Sequence, residues 1–300
     1  MIKAHIALFL VSLIYAANYT IAKEVMPTYL TPEALVFARI LTGTIVFWLI
    51  TSFKTEKVER SDLGLLALCG FTGAAFNMLM FFKGLNLTSP INASLILLLV
   101  PILVLIISSI FFKEPITRIK IIGIVLGVIG AGFLVLNGRS VNLDSQGFLG
   151  DLFVCLNSTS YAIYLVLVKK MIRKYTTLTV LKWVFGFGLI FVFPFTISDF
   201  LSANWLAIPI SIWSAIAFVL IGVTILTYLF NGYALKFVNA SIVSIYIYLQ
   251  PLLASVIALS FGKDSLDFTK IVAYLLIFSG VLMVSQSRQW WKEKLKFSKN

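Results

Sequence analysis

The sequence predicts an all-α polytopic membrane protein, with ten transmembrane helices arranged as two five-helix repeats of inverted topology. Three observations lead there. Charged residues gather in short clusters, leaving uncharged apolar runs of roughly 18 to 22 residues, the length at which a helix crosses about 30 Å of hydrocarbon. Basic residues concentrate in alternate loops. A stretch late in the first half also recurs 150 positions further on. With 60% hydrophobic and only 12% charged residues among 300, the chain lacks the polar residues to cover a soluble domain. The runs are continuously apolar rather than alternating over about ten residues, so they read as helices and not barrel strands.

The spans lie at approximately 4 to 24, 32 to 53, 63 to 83, 90 to 111, 117 to 137, 147 to 168, 178 to 198, 208 to 233, 240 to 261 and 268 to 287. The first, with Lys3 before it and Ala16 and Ala17 within it, has some features of a cleaved leader. It reads as a retained span because IYAANYTIAK (Ile14 to Lys23) has a counterpart in SYAIYLVLVK (Ser160 to Lys169), which opens the second half. The second carries Arg39 about seven residues from its start, and the third places Asn77 on a face with Gly70, Gly73 and Gly84. The fourth and ninth each hold a proline near the middle, Pro101 and Pro251. The fifth has the small-residue series Gly123, Gly127, Gly130, Ala131 and Gly132, suited to close helix packing or to dimerisation. The sixth carries Asn157, Tyr161 and Tyr164; the seventh has Lys182 close enough to its end to snorkel. The eighth spaces Thr224, Thr227, Tyr228 and Asn231 at helical intervals, and the tenth runs into a basic tail.

A net charge of +12 could suggest nucleic acid, but its distribution points to a lipid bilayer instead. With the N-terminus inside, the loops of that side hold Lys54, Lys57, Arg60, Lys113, Arg118, Lys120, Lys169, Lys170, Arg173, Lys174 and Lys236. The termini add Lys3, Arg288, Lys292, Lys294, Lys296 and Lys299, whereas the other side has only Lys23, Lys83, Arg139, Lys263 and Lys270. The positive-inside rule then puts both termini in the cytoplasm. Trp290 and Trp291 in the tail suit the headgroup belt. Cys69 and Cys155 fall within spans and have no metal-site spacing, so neither a disulfide nor a metal is expected, and no cofactor is.

Residues VPILVLIISSIFFKE (Val100 to Glu114) and QPLLASVIALSFGKD (Gln250 to Asp264) are the clearest part of the repeat. The match extends without a gap from Asn86–Val135 onto Lys236–Ser285, setting Pro101 on Pro251, Phe111 on Phe261, Lys113 on Lys263, Glu114 on Asp264 and Gly130 on Gly280. Five spans separate each residue from its copy, and an odd number turns the copy upside down. The expected division is a first repeat over 1–138, a second over 139–287 and a cytoplasmic tail over 288–300. Inverted repeats are common in secondary transporters, which bind substrate near the midplane between halves. The mid-span proline, the FFKEP turn, GIVLGVIGAG, and the arginine in ALVFARILTG resemble the EamA-type repeat of the drug/metabolite transporter superfamily. That resemblance implies a ten-helix inner-membrane carrier, commonly an exporter of amino acids or other small metabolites, working by alternating access. The second copy departs from it, with Asp264 in place of the glutamate and no arginine matching Arg39.

Polar groups within hydrocarbon must find a partner or face a cavity, so they mark the expected pathway. The candidates for substrate binding are Tyr15, Asn18, Asn77, Asn157, Tyr161, Tyr164, Thr224, Thr227, Tyr228, Asn231, Tyr246 and Gln250. Their aromatic share suggests a small-molecule substrate with a flat or apolar part. Arg39 either pairs with Glu24, Glu33 or a helix C-terminal carbonyl as a structural and gating element, or attracts a substrate carboxylate. Pro101 and Pro251 are static kinks or hinges. No Asp or Glu lies near the middle of a span, which argues against a carboxylate proton relay. No metalloprotease, nucleophile-elbow, P-loop or dinucleotide motif occurs, which weighs against a membrane enzyme acting on a lipid-linked substrate. A non-transporting scaffold or sensor has no need of the polar stripe in the eighth span. A monomer and a homodimer are both compatible with the sequence.

Overall fold

The computed structural model describes residues 2–53, 56–88, 90–113, 115–136, 145–260 and 268–297. Lys54, Glu114, Arg139, Phe261, Lys263, Asp264 and Lys299, used in the sequence comparison and charge count, lie outside the described residues, as do the side chains of Trp290, Trp291 and the basic tail. No strand occurs among the described residues, whose helices form ten rods. These are α1 (Ile2–Val25), α2 (Pro32–Ser52), α3 (Arg60–Leu87), α4 (Pro90–Leu97 then Val100–Phe112), α5 (Arg118–Leu136), α6 (Ser145–Lys174), α7 (Thr177–Ser202), α8 (Ile210–Phe237), α9 (Ala240–Ile245, Tyr246–Tyr248, then Leu249–Ser260) and α10 (Phe268–Phe297). Seven described stretches are long and apolar enough to cross a membrane, in α1 to α4 and α6 to α8. The chain is a polytopic membrane protein.

Local chemistry sets several boundaries. Thr31 accepts from the Ala34 N–H at 3.1 Å and Pro32 occupies the first turn of α2, where a missing N–H costs nothing. Thr176 caps α7 in the same way through the Thr179 N–H. Lys113 ends α4 in the left-handed region at φ 50°.

The rods carrying Pro101 and Pro251 are both broken just before the proline. In α4 the turn at Leu98 and Leu99 interrupts the helix; in α9 a 3₁₀ turn over Tyr246–Tyr248 does so. Proline cannot donate to the carbonyl four residues back, which is Leu97 for Pro101 and Ile247 for Pro251.

The expectation of regular α-helix in the third and eighth spans is corrected. Residues Phe71–Ala75 of α3 and Phe218–Leu226 of α8 are π-helical, which shifts the angular position of everything that follows.

In the packing, α2 lies against α7, α3 against α6, α5 against α10, and α1 against α8 and α9. Of the α5 glycines, Gly123, Gly127 and Gly130 are used inside the protein. A methyl on Gly130 would stand 2.8 Å from the Ala273 carbonyl, and one on Gly123 2.9 Å from that of Gly280, so α5 and α10 touch nearly backbone to backbone.

Candidate functional site

Seven rods meet around a cavity of about 610 Å³ of atom-free space, its mouth included. Tyr15, Asn18 and Tyr19 of α1, Arg39 of α2, Asn77, Met78, Phe81 and Phe82 of α3, and Leu97 of α4 line one side. Asn157 and Tyr161 of α6, Val223 and Tyr228 of α8, and Ile247 and Gln250 of α9 line the other. Along α1 the lining residues fall in the second half, so the cavity lies nearer the end of the bundle away from the N-terminus.

Arg39 is buried at 4% exposure, and its partners differ from those expected from sequence. Its Nε donates to the Thr224 hydroxyl at 2.8 Å and a terminal nitrogen donates to the Val223 carbonyl at 3.3 Å. Both acceptors lie in the π-helical segment of α8, where the wider turn leaves carbonyls available. Glu33 instead pairs with Lys83 at 2.8 Å. Among the described residues no carboxylate forms an ion pair with Arg39. The guanidinium also sits 4.8 Å above the Phe82 ring, and this cation–π contact offsets part of its desolvation.

The amides are arranged in two ways. Asn77 and Asn157 each donate to the other's backbone carbonyl, at 3.3 and 2.9 Å, joining α3 to α6. Gln250 accepts from Tyr19 through its Oε1 at 3.2 Å. Asn18, 3% exposed, has an Oδ1 with no hydrogen-bond partner. An unpaired buried acceptor costs about 1–3 kcal/mol, and Asn18 is among the residues that line the cavity.

The remaining sequence candidates are distributed around this centre. Thr224 and Thr227 direct their hydroxyls back to the Val219 and Val223 carbonyls at 3.0 and 2.7 Å. Thr224, Thr227 and Asn231 do not share the cavity lining with Tyr228: the π-helix shifts Thr224 against the other three, which follow in regular α-helix, and backbone carbonyls take both threonine hydroxyls. Asn231 donates to the Tyr161 hydroxyl at 3.3 Å from beneath the cavity. Tyr164 stacks between Tyr161 and Tyr228, with centroids 6.1 and 6.0 Å away, and Tyr228 donates to the Gly73 carbonyl. Tyr246 lies further toward the N-terminal end, where its hydroxyl is 2.8 Å from His5 Nδ1 and its carbonyl 2.8 Å from the Ser12 hydroxyl. Pro101 and Pro251 do not line the cavity, but Leu97 and Ile247, the residues four positions back to whose carbonyls they cannot donate, both do.

Sequence reasoning passed over Tyr19, Met78, Phe81 and Phe82. Tyr19 was within reach, since it sits one turn beyond Tyr15. The other three carry no polar atom of the kind that marks a pathway in hydrocarbon. Two further contacts close the rod ends. Lys169, 2% exposed, donates to Asn239 Oδ1 at 2.6 Å, and Lys23, its counterpart in the first half, donates to the Thr88 carbonyl at 3.4 Å.

The chain is similar in sequence to proteins of Bacillus subtilis and Archaeoglobus fulgidus over nearly its full length. It is 29% identical over 298 residues to the Bacillus subtilis uncharacterized transporter YyaM, covering 95% of this chain and 94% of that one. It is 27% identical over 289 residues to an uncharacterized transporter of Archaeoglobus fulgidus, covering 94% and 97%. One solved structure, 17% identical, superposes with a TM-score of 0.76 over 96% of this chain and 98% of its own, a likeness of fold alone. The EamA-like transporter model matches twice, at residues 2–136 and 148–286. Two matches of that kind cover almost all of the sequence, and the chain belongs to the EamA-like transporter family.

Proposed function

We propose that the protein is a secondary transporter that moves a small metabolite across the inner membrane by alternating access, with its site near the midplane between two inverted repeats, 1–138 and 139–287. Both termini are cytoplasmic in this reading, and 288–300 forms the basic tail. The cavity carries the proposal, because residues of both halves wall it and its polar groups are amides, phenols and one arginine instead of a catalytic set. An amino acid or a related compound suits these groups. Its carboxylate is held by Arg39, its ammonium by Asn18 Oδ1, and a flat or bulky side chain by Tyr15, Tyr19, Phe81 and Tyr161. Asn77, Asn157 and Gln250 shape the remaining wall; Tyr164, Thr224, Thr227, Asn231 and Tyr246 support it from behind.

Export is the proposed direction, set by gradients and not by the fold. With no carboxylate near the middle of a span, the cycle runs as facilitated diffusion or is driven by the substrate's own charge. The test is uptake of a radiolabelled amino-acid panel into proteoliposomes, with Asn18→Ala and Gln250→Ala alongside the parent chain. Saturable flux of one group of amino acids, lost in both variants, supports the proposal. If the inserted protein moves no member of the panel, the amino-acid reading fails; if neutral-substrate flux collapses when only the pH gradient is removed, the uncoupled reading fails.

A further inference from the structure

A second groove, about 1020 Å³ with its open side included, lies at the N-terminal end of the bundle between α1, the start of α7 and the end of α8. Lys3 and Lys236 stand at its rim, Ile6, Leu10 and Phe230 form its walls, and Thr177 lies at its base. We infer that this groove binds one anionic phospholipid of the adjoining leaflet, its phosphodiester between Lys3 and Lys236 and an acyl chain along the α1 face.

The dimensions and polarity agree with such an occupant. Lys3 to Leu10 spans seven residues of helix, roughly 10 Å, the distance from a headgroup into the upper acyl region. Ile6 is 54% and Leu10 37% exposed, so the wall is bare apolar surface on the protein alone. Thr177 is 8% exposed and its hydroxyl has no partner, while its methyl group packs at Gly232. One carboxylate is close: Glu56 accepts from the Thr176 N–H at 3.0 Å and its hydroxyl at 2.8 Å. Two lysines against one carboxylate leave a single positive charge, which one phosphodiester neutralises. A free phosphate would meet the lysines but leave the apolar wall uncovered.

The test uses the full-length purified chain in detergent, titrated with phosphatidylglycerol or phosphatidylcholine, with retained lipid counted by native mass spectrometry. One phosphatidylglycerol is expected to be held in preference to phosphatidylcholine. The Lys3→Gln/Lys236→Gln variant is expected to lose about fivefold in that preference per lysine, about twenty-fivefold in all. Phosphatidylcholine retention should stay unchanged, which shows that the variant is folded. Lys170→Gln/Arg173→Gln, which removes exposed basic residues outside the groove, should keep the preference. The inference is overturned by no preference between the lipids, by equal losses in the two double variants, or by glycerol phosphate displacing the lipid at comparable concentration.

Discussion

The Tyr248 phenol donates to the Leu98 carbonyl at 3.1 Å, and the two residues are 150 positions apart, the register at which the second half of the sequence matches the first. Each is thus the counterpart of the other, and a contact between counterparts lies where a two-fold axis relating the halves would pass. The helix breaks at Leu98–Leu99 and at Tyr246–Tyr248 fall in the same register, as do the cavity residues Leu97 and Ile247. The α5–α10 contact repeats the pattern: Gly130 meets Ala273, and their counterparts Gly280 and Gly123 meet each other. Interfaces built this way are self-complementary, so one duplicated surface stabilises both sides of the contact.

That contact tolerates little added volume. A methyl group at Gly280 would lie 2.5 Å from the Gly123 carbonyl, a backbone atom that cannot rotate away. Gly280→Ala is expected to destabilise the protein by about 1–3 kcal/mol, seen as a lower midpoint of thermal unfolding in detergent. Gly132, with nothing within 4 Å of an added methyl, is the control. Gly132→Ala should be neutral or raise the midpoint slightly, because alanine is the better helix former.

Arg39→Lys keeps the charge and removes the Nε donor that reaches Thr224. A hydrogen bond to a charged group contributes about 1.5–3 kcal/mol, so saturable substrate flux should weaken by about tenfold to a hundredfold. The protein should remain folded and inserted by size-exclusion chromatography. A variant that transports as well as the parent chain would remove Arg39 from the site.

Lys169 and Lys23 are counterparts in SYAIYLVLVK and IYAANYTIAK, and the former bond is the shorter, 2.6 against 3.4 Å. On the proposed alternating-access cycle, the shorter bond predicts a tighter closure at the N-terminal end. Lys169→Met should loosen that end. In a chain lacking Cys69 and Cys155, maleimide labelling of Ser244→Cys, at a position 0% exposed, should then accelerate from the N-terminal side. Lys23→Met should not produce the same increase.

Burial raises the Glu56 carboxyl, but hydrogen bonds from Thr179 and Thr176 and the charge of Lys236 outweigh it and hold the group below its ordinary value of 4.5. A lowered carboxylate value means stability that is present above 4.5 and lost as pH falls through the folded value. Glu56→Gln should therefore unfold at lower temperature than the parent chain at neutral pH. Because the group is largely exposed, the difference should be small, and it should vanish in acid.

The sequence by itself determined the membrane class, the positions of the helical rods and the 150-residue register, because these depend on local quantities: the length of apolar runs, the prolines and the order of residue types. It also located most of the polar atoms around the cavity, since hydrocarbon makes each one conspicuous. Only the tertiary structure decided which of them face one another. The π-helical segment of α8 changes the angle between Thr224 and the residues after it, and of the expected stripe only Tyr228 enters the cavity lining: Thr227 bonds the Val223 carbonyl, and Asn231 lies about one turn further along, against Tyr161. The partners of Arg39 were equally out of reach, because Thr224 and Val223 lie 185 and 184 positions away in the sequence. Helical period is a property of neighbouring residues, and the choice between an α and a π turn here goes with contacts made by distant ones.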